Sequence, residues 1–260
     1  MKDSPHLLTG VKAQGAGNDF LFVRCDDPSE VPTPEIIRRA CSRRRGIGAD
    51  GLVTYSVTHD DAIHARMFNC DGTEIRLCIN ASRCIPLVLD SSSLTLLVGS
   101  GRLTLERLDD HLVRTTLSLP RGTSIREQAR RPAGRTHLVT GFGDPHLVVL
   151  CSEPPGLSFH AEALKLRREF DANVHMVSGE GLVHIRSFER GIEGEVEACG
   201  SGCIAAALTL RRSTPTEFRT RGGDLLEVEI SHELLAAHVM GPAEVIGNFT
   251  FFVGTLAICR

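Results

Sequence analysis

Two cysteines stand where a thiol can do proton chemistry. In Glu195-Val196-Glu197-Ala198-Cys199-Gly200-Ser201-Gly202-Cys203 a cysteine precedes small residues, and the apolar run Ile204 to Leu210 follows at once. Upstream, Glu74-Ile75-Arg76-Leu77-Cys78-Ile79-Asn80-Ala81-Ser82-Arg83-Cys84 repeats the pattern Glu-x-x-x-Cys-x-[Asn/Ser] and leads into Ile85 to Leu89. Each reads as a thiol at the mouth of a helix. Unpaired N–H groups and the positive end of the dipole bind anions there, and they lower a thiol pKa from about 8.5 to about 3.5–7.5. Two such thiols suggest a paired acid and base. Zinc is a poor rival, since Cys70, Cys78 and Cys84 lack C-x-x-C spacing and no His-x-x-x-His lies near Cys199 and Cys203. A redox pair is disfavoured too, because such motifs keep their thiols close in sequence. Cys25, Cys41, Cys151 and Cys259 lack a helix-mouth signature and read as structural.

The elements that must position these thiols come twice. Val11 to Gln14, the turn Gly15-Ala16-Gly17-Asn18-Asp19 and Phe20 to Val23 read as a hairpin; Pro34 to Arg45 reads as a surface helix, its arginines on a solvated face. Gly46-Ile47-Gly48-Ala49-Asp50-Gly51 spells G-x-G-x-x-G, but a helix precedes it and a strand follows, the reverse of a dinucleotide site. It reads as a loop near the site. His64 to Asn69 is a strand feeding the first cysteine helix, and residues 94–119 alternate as antiparallel strands. Pro120 to Arg135 is the candidate linker. The second half resembles the first, with strands from His137 and Leu147 flanking a turn that contains Asp144-Pro145-His146. An amphipathic helix around His160 to Glu169 and strands through Asn173 and Phe188 then lead to Cys199. The expected divisions are residues 1–123 and 124–249, with a strand in 250–260 returning to the first half.

The 260 residues are 42% hydrophobic, enough to fill two cores, with a net charge of −3 and a pI near 6.4. No global field attracts nucleic acid or an anionic membrane, and no stretch approaches the roughly 18 apolar residues of a membrane helix. The start, Met1 to His6, has no basic segment followed by an apolar one, so a cytoplasmic enzyme with a small-molecule partner is expected. The nine cysteines are odd in number and without framework spacing, which reads as reduced thiols. Only Lys2, Lys12 and Lys165 could form a Schiff base, and none sits in a recognisable setting, so no cofactor is expected, pyridoxal phosphate included. No metal is expected either.

Gly15-Ala16-Gly17-Asn18-Asp19-Phe20, Gly46 to Gly51, Phe68-Asn69-Cys70-Asp71-Gly72-Thr73-Glu74, Cys78 with Asn80 and Arg83-Cys84, Asn173-Val174, Glu189-Arg190-Gly191 and Ala198 to Gly202 together resemble the diaminopimelate epimerase family. The resemblance runs nearly end to end. It implies an α/β (α+β) fold of two pseudo-symmetric halves, each a curled, mainly antiparallel sheet around a central helix, with the active site in the cleft between them. It also implies cofactor-independent inversion of an amino-acid Cα by Cys78 and Cys199, one thiolate removing the proton and the other thiol donating to the opposite face. That is the arrangement inversion demands. By family position Asn18, Asn69, Asn173, Glu189 and Arg190 would bind the substrate's amino and carboxylate groups. Backbone amides at Asn80, Gly200 and Ser201 would hold the α-carboxylate, with His146 and Glu189 setting the thiols' protonation. Lysine biosynthesis is the implied context, and a homodimer stays open. On residue type alone, Asn18 and Asn173 read equally as turn residues, Glu189-Arg190 as a surface ion pair and His146 as a satisfied turn histidine.

Departures from the family pattern bear on the substrate. Where the family has Cys-Gly-Asn-Gly this chain has Cys78-Ile79-Asn80-Ala81, where it has Asn-Pro-His this chain has Asp144-Pro145-His146, and the loop from Glu189 to Cys199 is one residue longer. Ile79 and Asp144 are therefore counted among the substrate-binding positions. Arg190, if buried, is best explained by a ligand carboxylate, which favours LL-/meso-diaminopimelate. A carboxylate at 144 suits a cationic side chain better, so racemisation of histidine, arginine or lysine is the alternative, and a non-catalytic amino-acid-binding relative is another. A proline racemase-like enzyme is disfavoured by the Gly15 to Phe20 and Asn69 to Glu74 blocks.

Overall fold

The computed structural model describes residues 7–253 apart from 59–61, 100, 129–130, 132–133, 232 and 234. Cys259, Lys2 and the start of the chain lie outside the described residues. Strands β1 (Leu7–Gly15) and β2 (Asn18–Arg24) form a hairpin whose turn residues, Ala16 and Gly17, both have positive φ (53° and 83°), as a two-residue turn matched to strand twist requires. Thr33 caps α1 (Pro34–Cys41), its hydroxyl accepting from the Ile36 N–H. The helix stops four residues short of the expected Arg45, because Ser42 turns extended and Arg43 swings back to Asp19 and Asp50. Then follow β3 (Gly51–Val57), β4 (Ile63–Asn69), β5 (Glu74–Ile75), α2 (Ile79–Val88), β6 (Ser93–Val98), β7 (Gly101–Arg107), β8 (Leu112–Ser118) and β9 (Ser124–Glu127).

The second half repeats the order. It comprises β10 (Arg135–Thr140), β11 (His146–Leu150), α3 (Phe159–Phe170), β12 (Asn173–Ser178), β13 (Val183–Glu189) and β14 (Gly194–Val196), then α4 (Gly200–Leu210), β15 (Thr216–Arg219), β16 (Leu225–Ser231), β17 (Ala236–Pro242) and β18 (Glu244–Phe252). Pairing repeats as well: β2–β3 and β11–β12 are parallel across α1 and α3, β4–β6 and β13–β15 are parallel across α2 and α4, and the neighbouring pairs are antiparallel. The fold is a pseudo-two-domain α/β architecture dominated by sheet.

Each half wraps its sheet around its cysteine helix. Helix α4 is buried from Cys203 to Leu208 and α2 from Ile79 to Pro86, so both are apolar nearly all round. Ile85, Leu105, Ile204 and Phe218 belong to one core spanning both halves, each contributing about 1.5–3 kcal/mol through burial. Smaller clusters lie under α1 and α3.

The halves exchange their last strands. β9, inside the stretch expected as a linker, pairs with β10, and β18 pairs with β1 from Leu7↔Phe252 to Gln14↔Glu244. The returning strand thus starts at Glu244, ahead of the expected 250, while residues 254–260 lie outside the described residues. A β8–β17 ladder completes the join. Among the described residues no helix is long and apolar enough to cross a membrane.

Candidate active site

Both cysteines are helix N-caps with nearly the same backbone, φ −133°, ψ 112° at Cys78 and φ −132°, ψ 103° at Cys199. Their helices start beside each other: a Cβ added to Gly200 would stand 2.7 Å from Ile79 Cβ, and Asn80 Nδ2 donates to Ala198 O at 3.0 Å. The cleft at this junction is lined by every residue singled out from the sequence: Cys78, Ile79, Asn80, Cys199, Gly200 and Ser201 at the helix mouths, and Asn18, Asn69, Asp144, His146, Asn173, Glu189 and Arg190 on the surrounding strands and turns. Lys12, the lysine nearest in sequence to the first motif, is tied instead to Asp19 and Gly48 O.

On the first-half side the group that meets the Cys78 thiol is an amide. Asn18 Oδ1 accepts from Asn80 Nδ2 at 3.4 Å and from the Cys78 thiol at 3.8 Å, while Asn18 Nδ2 donates to Asp50 Oδ2 at 2.8 Å. Arg43 holds Asp50 and Asp19 together. Arg83, fully buried, donates to Asn80 Oδ1 at 2.8 Å and fixes that amide from behind.

On the second-half side the groups titrate. Cys199 Sγ accepts from the Gly202 N–H at 3.3 Å and lies 3.5 Å from Ser201 Oγ, and its thiol shares a hydrogen bond with the Glu189 carboxyl. Burial pushes that carboxyl up to about 7, with the Cys199 bond pulling down and Asp50 and Asp144 adding to the rise. His146 is buried and held neutral, its pKa lowered to about 4 by burial. Its Nδ1 lies 2.9 Å from His175 Nε2, and Phe142 stacks on it with centroids 5.5 Å apart.

Two expectations change. Helix mouths alone predict depressed thiol pKa values, but burial outweighs them: Cys78 is pushed up to about 12, with the Ala81 and Asn80 N–H groups pulling down and Glu189 pushing up, and Cys199 rises well above its ordinary value by burial and by Glu189. In the free cleft both are thiols. Arg190 is half-buried and already engaged, its guanidinium 2.7 Å from Asp144 Oδ1 and 3.2 Å from Asp171 Oδ2, while Asn173 Oδ1 accepts from its backbone N–H at 2.8 Å. Asp50 and Arg76 line the cleft without having been singled out. Asp50 carried one faint signal, an acidic residue between glycines at the start of a strand.

The arrangement offers two thiols, a carboxyl that gains and loses a proton near neutrality, and helix-mouth N–H groups for an anion. The diaminopimelate epimerase family model matches residues 10–111. The diaminopimelate epimerase of Gemmatimonas aurantiaca is 35% identical over 248 residues, covering 86% of this chain and 88% of that one. That of Desulforudis audaxviator is 32% identical over 271 residues, covering 90% and 96%. Among solved structures a hydroxyproline epimerase from Agrobacterium vitis matches with a TM-score of 0.67 at 12% identity, over 95% of this chain and 93% of that one, which shows the shared fold. The chain therefore belongs to the diaminopimelate epimerase family and is an isomerase of the epimerase and racemase class.

Proposed function

We propose that the protein is a cofactor-independent amino-acid epimerase that inverts Cα by proton transfer between Cys78 and Cys199, with LL- and meso-diaminopimelate as its substrates. The observation that carries this reading is the pair of matched N-cap thiols opening on one cleft, one of them bonded to a carboxyl that titrates near 7. Cys199 gives its proton to ionised Glu189, and the resulting thiolate removes the α-proton from one face. The Cys78 thiol then delivers its proton to the opposite face, leaving a Cys78 thiolate, a Cys199 thiol and a protonated Glu189. The α-carboxylate takes the N–H groups at Asn80, Gly200 and Ser201, where the helix ends also stabilise charge building on it as the carbanion forms. Asn69, Asn173 and Arg190 receive the distal end.

Relatives that are named diaminopimelate epimerases support the substrate, as does Arg190, which neutralises Asp144 across 2.7 Å and so removes most of its repulsion for a distal carboxylate. One observation favours a second reading. Arg190 faces two carboxylates, Asp144 and Asp171, so that end carries excess negative charge and suits a cationic side chain such as that of histidine, arginine or lysine. The deciding experiment is kcat/KM for LL-diaminopimelate beside those three amino acids, in wild type and Asp144→Asn. Diaminopimelate should be preferred, and the variant should improve it about threefold to tenfold by freeing Arg190. If diaminopimelate is inert with both proteins while a monocarboxylate turns over, the substrate assignment is wrong.

A further inference from the structure

Behind His146 runs a chain of polar groups that the proton transfer between the thiols does not use. His175 is fully buried in β12, and Ser187, in β13, is 3% exposed. His175 Nδ1 lies 2.9 Å from Ser187 Oγ, and His175 Nε2 lies 2.9 Å from His146 Nδ1. The ring is packed against the first turn of α4, where a Cβ on Gly202 would sit 2.3 Å from His175 Cε1. Glycine at 202 therefore makes room for this imidazole directly under the helix that carries Cys199.

The protons along this chain have one consistent direction. Burial keeps both rings neutral, so each carries one ring proton, and neither can donate from both nitrogens. Among the described residues Ser187 Oγ has a single hydrogen-bond partner, His175 Nδ1. A buried hydroxyl whose proton has no acceptor leaves a polar group unpaired at a cost of about 1–3 kcal/mol, so the Ser187 proton points at His175 Nδ1. His175 then carries its proton on Nε2 and donates it to His146 Nδ1. His146 in turn carries its proton on Nε2, the ring nitrogen turned away from His175 and left for the cleft that His146 lines.

We propose that Ser187 and His175 are positioning residues that lock His146 as its Nε2–H tautomer, so that it presents a neutral hydrogen-bond donor to the cleft and cannot act as a proton acceptor there. The division of labour beside Cys199 is then complete: Glu189 moves the proton, and His146 supplies an uncharged N–H to the negative charge that forms on the thiolate or the substrate. A neutral donor serves this site better than an imidazolium, whose charge would hold the anion tightly before as well as during the reaction. The kinetic consequence rests on the proposed epimerase reading; the tautomer does not.

The test is long-range ¹H–¹⁵N correlation NMR of histidine-labelled protein, with His146 and His175 assigned from the signals lost in His146→Gln and His175→Phe. Wild type should show both rings as Nε2–H. Ser187→Ala should move both rings off this single tautomer and lower kcat about tenfold, short of the 10²–10³ lost when an oxyanion donor is removed outright, with KM nearly unchanged. Ser187→Thr should restore tautomer and rate. An Nδ1–H signal for His146 in wild type overturns the proposal, and this measurement needs no variant to fold beyond those used for assignment. Wild-type tautomers and kcat in Ser187→Ala overturn it as well. An Nε2–H wild type that epimerises no amino acid would leave the tautomer standing and sink the functional reading alone.

Discussion

The two helix mouths are geometric twins with different chemistry around them. Phe20 opens the parallel β2–β3 register where His146 opens β11–β12, Asn69 ends β4 where Glu189 ends β13, and Asn18 precedes Phe20 by two residues as Asp144 precedes His146. The Cys78 side therefore holds an aromatic ring and amides at the three positions where the Cys199 side holds an imidazole and two carboxylates. Repetition of the fold supplies two thiols that open on one cleft; replacements at matched positions put a carboxyl beside only one of them. Cys199 has an acceptor in Glu189, whereas the Cys78 thiol meets the Asn18 carbonyl oxygen.

The largest test breaks the twinning outright. Cys78→Ala or Cys199→Ala should each lower the rate of epimerisation by at least about 10³-fold, since in the proposed mechanism each removes the thiol that carries the proton on its face. Polarimetry or chiral chromatography reads the loss, and near-normal turnover in either variant would end the two-thiol mechanism. Next comes the asymmetry itself. Glu189→Gln should cost about 10²-fold, and wild-type kcat/KM should rise with pH through about 7, because Glu189 must be ionised to accept the Cys199 proton. That limb should vanish in the variant. The sign of the stability effect follows from the same shift. A carboxyl whose pKa is raised from 4.5 to about 7 in the fold stabilises it below about 4.5, and this stabilisation is lost as pH rises through about 7. Glu189→Gln should therefore melt higher than wild type at pH 8, with the advantage disappearing near pH 4.

A smaller effect distinguishes the two mouths by packing. Ile79 is 1% exposed and fills the space over Gly200, so Ile79→Gly, which restores the family pattern, should lower unfolding stability by about 3–5 kcal/mol from the cavity and the glycine together. Gly200→Ala should also destabilise, because its Cβ would meet Ile79 at 2.7 Å with no flexible tip to yield. Urea midpoints measure both.

What the sequence revealed and what it hid divide along the same physical line. The thiols were legible because a helix mouth is local: small residues after a cysteine and an apolar run suffice. So were the hairpin at Ala16-Gly17 and the repeated strand order, which rest on turn chemistry and alternation. Properties that depend on distant partners were not. The end of α1 at Cys41 depends on Asp19 and Asp50 drawing Arg43 away, and the engagement of Arg190 depends on Asp144 and Asp171, 46 and 19 residues off. The thiol pKa values run opposite to the helix-mouth expectation because desolvation is a property of the closed cleft. His175 read as one more residue of an apolar strand, since nothing local announces a ring packed under a glycine of a helix 27 residues further along the chain. The exchange of β9 and β18 between halves was legible only as a returning strand, placed several residues late.

The central claim, two thiols of unequal basicity acting on one carbon, is tested most directly by proton NMR of LL- and of meso-diaminopimelate, each in D₂O with wild type, Cys78→Ala and Cys199→Ala. Wild type should wash out the α-proton signal as the other isomer appears with deuterium at the inverted carbon. Cys78→Ala, which keeps the Cys199–Glu189 pair, should still exchange the α-proton of one isomer without inversion, while Cys199→Ala should do neither. Retention of the proton during wild-type turnover, or identical exchange by the two variants, would contradict the account.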